Sequence, residues 1–182
     1  TSRVLSLALA VCMILSLGCL PASAEGFVGK DDIFDFEIDN VDLDFGSHQL
    51  PLETQRDNYG RTVGYLGTAS FIMTNHDTDM SGLPNFGGEE TLFSNTTLSS
   101  ADGKELDVQA QPSPQGDWQG HPSGVWFGTS RQFDIELYYL EKAELTAENC
   151  SVYSGTAAFQ VQGYGDGTPV LFHITVELLP GP

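Results

Sequence analysis

The chain has 182 residues, of which 25 are Asp or Glu and only seven are Lys or Arg, so its formal charge is −18. So acidic a surface repels the phosphates of nucleic acids and of anionic lipids, which argues against both as partners. The same charge suits divalent cations, basic partners or simply solubility.

The first 24 residues differ from all that follow. Arg3 is their only charged residue, an apolar run extends over residues 4–20, and the small residues Ala22-Ser23-Ala24 come last. This order is typical of a secretory signal peptide that is cleaved before Glu25. We therefore expect one exported domain over residues 25–182, either secreted or on the cell surface, with the periplasm as an alternative.

Two other interpretations of this segment stay open. An apolar run of about 17 residues is close to the shortest that spans a bilayer, so an uncleaved membrane anchor is the first. The second is lipid attachment at Cys19, because Leu17-Gly18-Cys19 resembles the lipoprotein site of bacteria, although Ser16 stands where such sites usually carry Leu. Cleavage at the small residues is the interpretation we favour, and it leaves no segment that inserts into a membrane.

Cleavage would leave 158 residues with 25 acidic and six basic side chains, a net charge of −19. That length is enough for one domain with a real core. Cys150 would be the only cysteine left, so an intramolecular disulfide is excluded. We expect Cys150 to be buried and inert, with pairing between chains as the alternative.

Apolar residues alternate with acids from Phe34 to Phe45, and the alternation changes phase at Asp39-Asn40. Period-two alternation predicts a strand with one buried face, and the phase change predicts a turn or bulge. The same alternation predicts strands over residues 63–74 and 133–139.

Two further alternating runs, at residues 157–161 and 170–178, flank a Gly-rich connection and predict a hairpin. Residues 137–147 also fit a short helix, and we leave that choice open. The stretch from Val108 to Gly124 is rich in Gln, Pro and Gly and predicts a long loop. Residues 65–71 match residues 153–159 at five of seven positions. That match favours convergence over duplication, because nothing around it repeats.

These short strands and frequent turns predict an all-β fold, an antiparallel β-sandwich of the immunoglobulin-like or jelly-roll kind. Within it, Asn75, the Asp77 to Asp79 loop and Asp102-Gly103-Lys104-Glu105 follow one another along residues 68–108. This segment resembles the immunoglobulin-like, telokin-like modules of bacterial surface proteins. The resemblance implies a binding or interaction module and not an enzyme.

The loop from Asn75 to Gly82 is a candidate calcium site. Asp77, Asp79 and Ser81 place oxygen atoms at alternate positions, and Glu89 follows, although Gly88 stands where an EF-hand requires its glutamate. We therefore expect either a calcium-bound β-loop or an Asp-rich turn without metal.

Aromatic residues suggest a second candidate site. Trp118, Trp126, Phe127, Tyr138 and Tyr139 are able to form a sugar-stacking surface, and Trp118 and Trp126 are the two that we assign to ligand binding. The alternative is that aromatics in β-proteins belong to the core. The four histidines show no zinc-site spacing.

The sequence therefore predicts a non-enzymatic, exported surface protein that acts in adhesion or assembly. Its partners would be other surface proteins or further copies of itself, joined by strand pairing through residues 34–45. The alternative is a carbohydrate-binding module stabilised by Ca²⁺.

Overall fold

The structure is a computed structural model that describes residues 25–57, 59–79, 83–84, 94–112, 124–140 and 144–182. The predicted signal peptide and its Cys19 lie outside the described residues. So do three candidate site residues, Ser81, Glu89 and Trp118. Within the described ranges, no helix is long and apolar enough to cross a membrane.

The described residues form ten β-strands and no α-helix, which confirms the all-β prediction. The strands are β1 (Phe27–Lys30), β2 (Asp35–Ile38), β3 (Asp42–Gln49), β4 (Thr54–Arg56), β5 (Thr62–Asn75), β6 (Ser94–Ser100), β7 (Glu105–Pro112), β8 (Ser130–Tyr139), β9 (Ser151–Phe159) and β10 (Val170–Leu179).

All ten strands belong to one sheet, in the order β1-β2-β5-β8-β7-β6-β9-β10-β3, and β4 pairs with β5. The sheet is mixed, because β3 and β10 run parallel while the other neighbours are antiparallel. It curls around a single core and resembles half of a barrel. The predicted antiparallel sandwich of two packed sheets is thus not confirmed.

The phase change at Asp39-Asn40 explains the parallel pair. The Asn40 side chain accepts a hydrogen bond from the Asp42 amide (2.8 Å) and donates one to the Asp42 carbonyl (2.9 Å). This turn ends β2, which lies between β1 and β5, and begins β3, which lies beside β10 at the other end of the sheet. One alternating run therefore supplies two strands that are distant in the sheet order.

The inner face of the curl is apolar, as the alternation predicts. Phe71 stacks on Phe133, with ring centroids 5.3 Å apart, and Phe172 contacts both Phe71 and Phe159. Full burial of such a side chain contributes about 1.5–3 kcal/mol. The largest fully buried side chains are Tyr138, Tyr153, Phe36, Phe71, Phe133, Phe159, Phe172, Ile38, Leu43, Leu66 and Met73.

The predicted hairpin is confirmed, since β9 and β10 pair in antiparallel register from Val170 opposite Phe159 to Leu178 opposite Ser151. Strand β8 ends at Tyr139, and the next element among the described residues is a 3₁₀ turn at Ala147–Asn149. The described part of residues 137–147 is therefore a strand and a turn, and the helical alternative is wrong there.

The predicted loop over residues 108–124 begins later than expected, because β7 runs to Pro112. Val108 and Ala110 point into the core, while Gln109 and Gln111 are buried on the other face. The Gln, Pro and Gly composition suggested a loop, but β7 pairs with β6 on one side and with β8 on the other, and the buried Gln111 amide is satisfied by the Gln109 oxygen. Residues 113–123 lie outside the described residues.

The segment Asp102-Gly103-Lys104-Glu105, which carried the resemblance, is the turn between β6 and β7. Gly103 adopts a positive φ of 80°, a conformation that favours glycine. The Ser100 hydroxyl and the Lys104 ammonium both hydrogen-bond the Asp102 carboxylate and lower its pKa to about 2. These contacts explain why Asp102, Gly103 and Lys104 occur here, since each of them stabilises the turn.

Candidate binding site at the Asn75 end of the sheet

Asn75 is the last residue of β5 and is fully buried. Its side-chain amide donates a hydrogen bond to the Val125 carbonyl (2.9 Å), and its side-chain oxygen accepts one from the Asp77 amide (2.9 Å). Its backbone bonds Thr129 and Gly128, at 2.9 and 3.0 Å. A buried amide requires such partners. Asn75 thereby joins two loops, residues 75–79 and 125–129, and we call this region the Asn75 end.

The second loop exposes two aromatic rings. Trp126 is 48 % exposed and Phe127 39 % exposed, and their ring centroids lie 6.5 Å apart at an interplanar angle of 73°. The Thr129 amide and hydroxyl both donate to the Trp126 carbonyl, at 3.1 and 2.7 Å, which closes a tight turn. Gly128 has a φ of 66° in this turn. The turn therefore holds the aromatic pair at the surface.

The first loop carries carboxylates. Asp77 is half-buried, and its Oδ2 accepts a hydrogen bond from the Asp35 amide (3.2 Å). Asp79 is exposed. Lys30 pairs with Asp35 at 2.5 Å; that hydrogen bond and charge raise the pKa of Lys30, with a smaller contribution from Asp77. The Asn75 end is therefore acidic and has an ammonium group at its margin.

The structure describes only two of the four residues predicted to bind calcium. Asp77 and Asp79 lie at the Asn75 end, whereas Ser81 and Glu89 are outside the described residues. Among the residues that are described, no group of three or more His, Cys, Asp or Glu side chains is arranged to hold a metal ion. The Asp77 bonds to Asn75 and Asp35 are those of a polar turn. Calcium binding stays a prediction.

The aromatic candidates separate into two groups. Trp126 is exposed and lies next to the Asp77 loop, a proximity that their 49-position separation in sequence conceals. Tyr138 and Tyr139 are buried, so their proposed share in an exposed sugar-stacking surface is wrong. Trp118, the other candidate, lies outside the described residues.

A buried polar network on the outer face of the sheet was not predicted. The Tyr138 hydroxyl donates a hydrogen bond to the Glu136 carboxylate, and the Gln111 amide donates to the Gln109 oxygen (2.8 Å). Burial raises the pKa of Tyr138 far above its usual range, and the Glu136 carboxylate adds to the shift. Alternation of apolar and polar residues shows that a strand has two different faces. It does not show that polar residues on the outer face, such as Gln109 and Glu136, are buried as well.

This network is anchored by a salt bridge next to the start of β5. The Arg61 guanidinium donates to the buried Asp57 carboxylate (2.6 Å) and to the Gln109 oxygen (2.7 Å). Burial alone would raise the pKa of Asp57, but hydrogen bonds from the Arg61 amide and guanidinium and from the Tyr59 amide lower it. The network therefore fixes the turn that leads into β5.

No known protein family matches the chain, and neither curated proteins nor solved structures give a match. Function must therefore be argued from the site itself.

Proposed function

We propose that the protein is an exported, non-enzymatic adhesion domain that binds carbohydrate at the Asn75 end. The exposed Trp126–Phe127 pair, held by Asn75 beside the Asp77 loop, is the observation that supports this most. A sugar ring has an apolar face, which stacks on an aromatic ring, and hydroxyl groups, which donate to carboxylates. The two loops that Asn75 joins carry both kinds of group.

The non-enzymatic part of the proposal is supported by how the polar residues are used. His48 bonds the Phe45 carbonyl, His76 bonds the Glu37 carboxylate, and Glu136 accepts from Tyr138. Neither histidine contact joins a base to a nucleophile, and the Tyr138–Glu136 pair, a hydroxyl bonded to a carboxylate, is buried away from any substrate.

The proposal includes a distant relation to immunoglobulin-like or jelly-roll sandwiches, which the Asp102-Gly103-Lys104-Glu105 turn suggested. Such modules present binding loops at the ends of their strands, as this role needs. A secreted or cell-surface location belongs to the same proposal and follows from the predicted signal peptide.

A glycan array tests this function. The protein is expected to bind a defined set of glycans, and Trp126→Ala is expected to weaken binding at least tenfold, which corresponds to about 1.4 kcal/mol. Tyr59→Ala is the matched control, since Tyr59 is an aromatic residue that is 56 % exposed elsewhere. Absence of binding on a broad array, or equal effects of both substitutions, would contradict the proposal.

Assembly by strand pairing is the second candidate. In the predicted pairing segment, residues 34–45, β2 is paired on both sides, whereas β3 pairs, among the described strands, only with β10 and forms one end of the sheet order. The other end of the sheet order is β1, where Val28 is 67 % exposed. Strand β1 has four residues and ends at Lys30, and both features are typical of edges that resist pairing.

Light scattering after size exclusion tests assembly. If β1 pairs between molecules, the wild type forms oligomers at high concentration and Val28→Pro reduces them. A strict monomer at all concentrations and salt conditions removes this candidate and leaves carbohydrate binding untouched.

A further inference from the structure

A cleft of about 720 Å³ lies near the opposite end of β5 from Asn75. Its walls include His48, Glu53 and Tyr65, together with the apolar side chains of Leu50, Leu52 and Leu179. This volume is within the range of small-molecule sites, roughly 300–1,000 Å³. We call it the His48 cleft.

Two β-bulges shape the cleft. The pairing of β3 with β10 shifts register next to Gly46, and that of β5 with β8 shifts between Tyr65 and Thr68, around Gly67. The two bulges touch, because a Cβ atom at Gly67 would lie 2.6 Å from the Phe45 carbonyl oxygen. Bulges change the direction in which side chains point. Here they bring the ring centroids of His48 and Tyr65 to within 6.5 Å of each other.

The hydrogen bonds of the cleft leave acceptors available. His48 Nε2 lies 2.9 Å from the Phe45 carbonyl oxygen, which only accepts, so Nε2 is the donor in this contact, and the tautomer with its proton on Nε2 has Nδ1 as an acceptor. The Ser47 hydroxyl already donates to the Glu177 carboxylate, and the Tyr65 hydroxyl is hydrogen-bonded to Thr68.

Glu53 adds a negative charge to this set. Its side chain is exposed and, within the described residues, makes no salt bridge. A ligand that matches the cleft therefore brings N–H donors and a positive charge. Tyr65 gives the lining an aromatic ring, a group that attracts cations, and the lining leucines match the apolar part of an alkyl stem.

We propose that the His48 cleft binds an alkylammonium or guanidinium group on an aliphatic stem. Glu53 supplies the opposite charge, His48 Nδ1 accepts a hydrogen bond, and Tyr65 contacts the cation. This site is independent of carbohydrate binding at the Asn75 end, because about ten residues of extended strand, roughly 33 Å, separate Tyr65 from Asn75.

Isothermal titration tests the cleft with three probes at matched ionic strength. Cadaverine represents a free amine, the peptide acetyl-Ala-Lys-Ala-amide represents a basic side chain, and the same peptide with Gln in place of Lys is the neutral control. We expect saturable binding of at least one cation at one site and none of the neutral peptide. The better cationic probe then identifies the source of the ligand.

Substitutions locate the binding. Glu53→Gln and Tyr65→Leu are each expected to weaken binding of the better cation at least tenfold. Glu148→Gln is the matched control, because it removes one exposed carboxylate elsewhere. Melting curves verify that each variant is folded. The proposal is overturned if no cation binds saturably, if the neutral peptide binds equally, or if Glu53→Gln and Glu148→Gln have the same effect.

Discussion

The Asn75 end and the His48 cleft lie near opposite ends of the same strand, β5, and they expose different groups. At the Asn75 end the buried amide is saturated by its own loops, and the exposed groups are the aromatic rings of Trp126 and Phe127. At the His48 cleft the ring of Tyr65 is half-buried and hydrogen-bond acceptors are left available.

The difference has a local cause. Strand β5 ends at Asn75, whose side chain bonds the Val125 carbonyl and the Asp77 amide. Near Tyr65 the same strand contains a bulge at Gly67, with a φ of 96°. A side chain that caps a strand end forms hydrogen bonds with the nearby polar groups. A bulge instead changes the direction of side chains and leaves some polar atoms without hydrogen-bond partners.

The largest effect expected is that of Gly67→Ala. A left-handed conformation costs a non-glycine residue about 1–2 kcal/mol, and a Cβ 2.6 Å from the Phe45 carbonyl oxygen adds about 1–3 kcal/mol of overpacking. Gly46→Ala is the control, because Gly46 also has a positive φ but nothing lies within 4 Å of its Cβ position. Urea denaturation measures both. Equal losses of stability would mean that the two bulges are not in contact.

Asn75→Ala is expected to destabilise the protein by about 1–3 kcal/mol, because it leaves the Val125 carbonyl and the Asp77 amide without their partner. It should also weaken glycan binding, since the two loops lose their connection. Asn40 makes two similar hydrogen bonds to Asp42 at a half-buried turn. Asn40→Ala should therefore lower the free energy of unfolding by less than Asn75→Ala does. A larger loss at Asn40 would show that Asn75 does not organise its end of the sheet.

Of the two regions, only the Asn75 end is expected to respond to calcium. If Asp77 and Asp79 bind it with residues outside the described ranges, millimolar Ca²⁺ adds roughly 1–3 kcal/mol at ten to a hundred times its dissociation constant. Differential scanning fluorimetry at matched ionic strength should then show a higher melting temperature, with less effect from Mg²⁺. The double variant Asp77→Ala, Asp79→Ala should abolish the rise. Equal stabilisation by sodium would make this loop a turn without metal.

The smallest effect expected concerns Asp57, in the turn that leads into β5. Because its pKa is lowered in the folded state, its ionised form stabilises the fold above the ordinary pKa of 3.8. That contribution disappears as the pH falls through the folded-state pKa. Asp57→Asn should thus cost about 1 kcal/mol at pH 6, and the cost should shrink progressively as the pH falls below 3.8. Asp32→Asn, at an exposed carboxylate, controls for net charge, and a pH-independent difference would contradict the assignment.

The sequence predicted the strands better than their arrangement. Period-two alternation located β5, β8 and the β9–β10 hairpin, because one face of each strand is apolar. The curled sheet was not predictable, since it depends on β3 pairing with β10 across more than 120 positions of sequence. Local patterns contain no information about such pairing.

The repeated segment illustrates the same limit. Gly67 lies in a bulge at φ 96°, whereas Gly155 is not among the glycines with positive φ. Tyr65 is half-buried, while Tyr153 is fully buried. Equal residues therefore occupy unequal positions, which favours convergence over duplication.

The sites were predictable to different degrees. The sequence singled out Trp126 as one of several aromatic residues and Asp77 from the spacing of oxygen ligands in its loop, but it gave Asn75, which joins the two loops, no binding role. The His48 cleft gave no signal, because His48 and Tyr65 come from two strands that meet through glycine bulges.

The most direct test of the account is a heteronuclear NMR titration of the protein with its best glycan from the array. We predict that the Trp126 indole N–H and the Asn75 side-chain amide shift most, while the resonances of His48 and Tyr65 stay unchanged. Cadaverine should produce the reverse pattern in the same sample. Glycan-induced shifts centred on His48, or spread evenly over the sheet, would contradict carbohydrate binding at the Asn75 end.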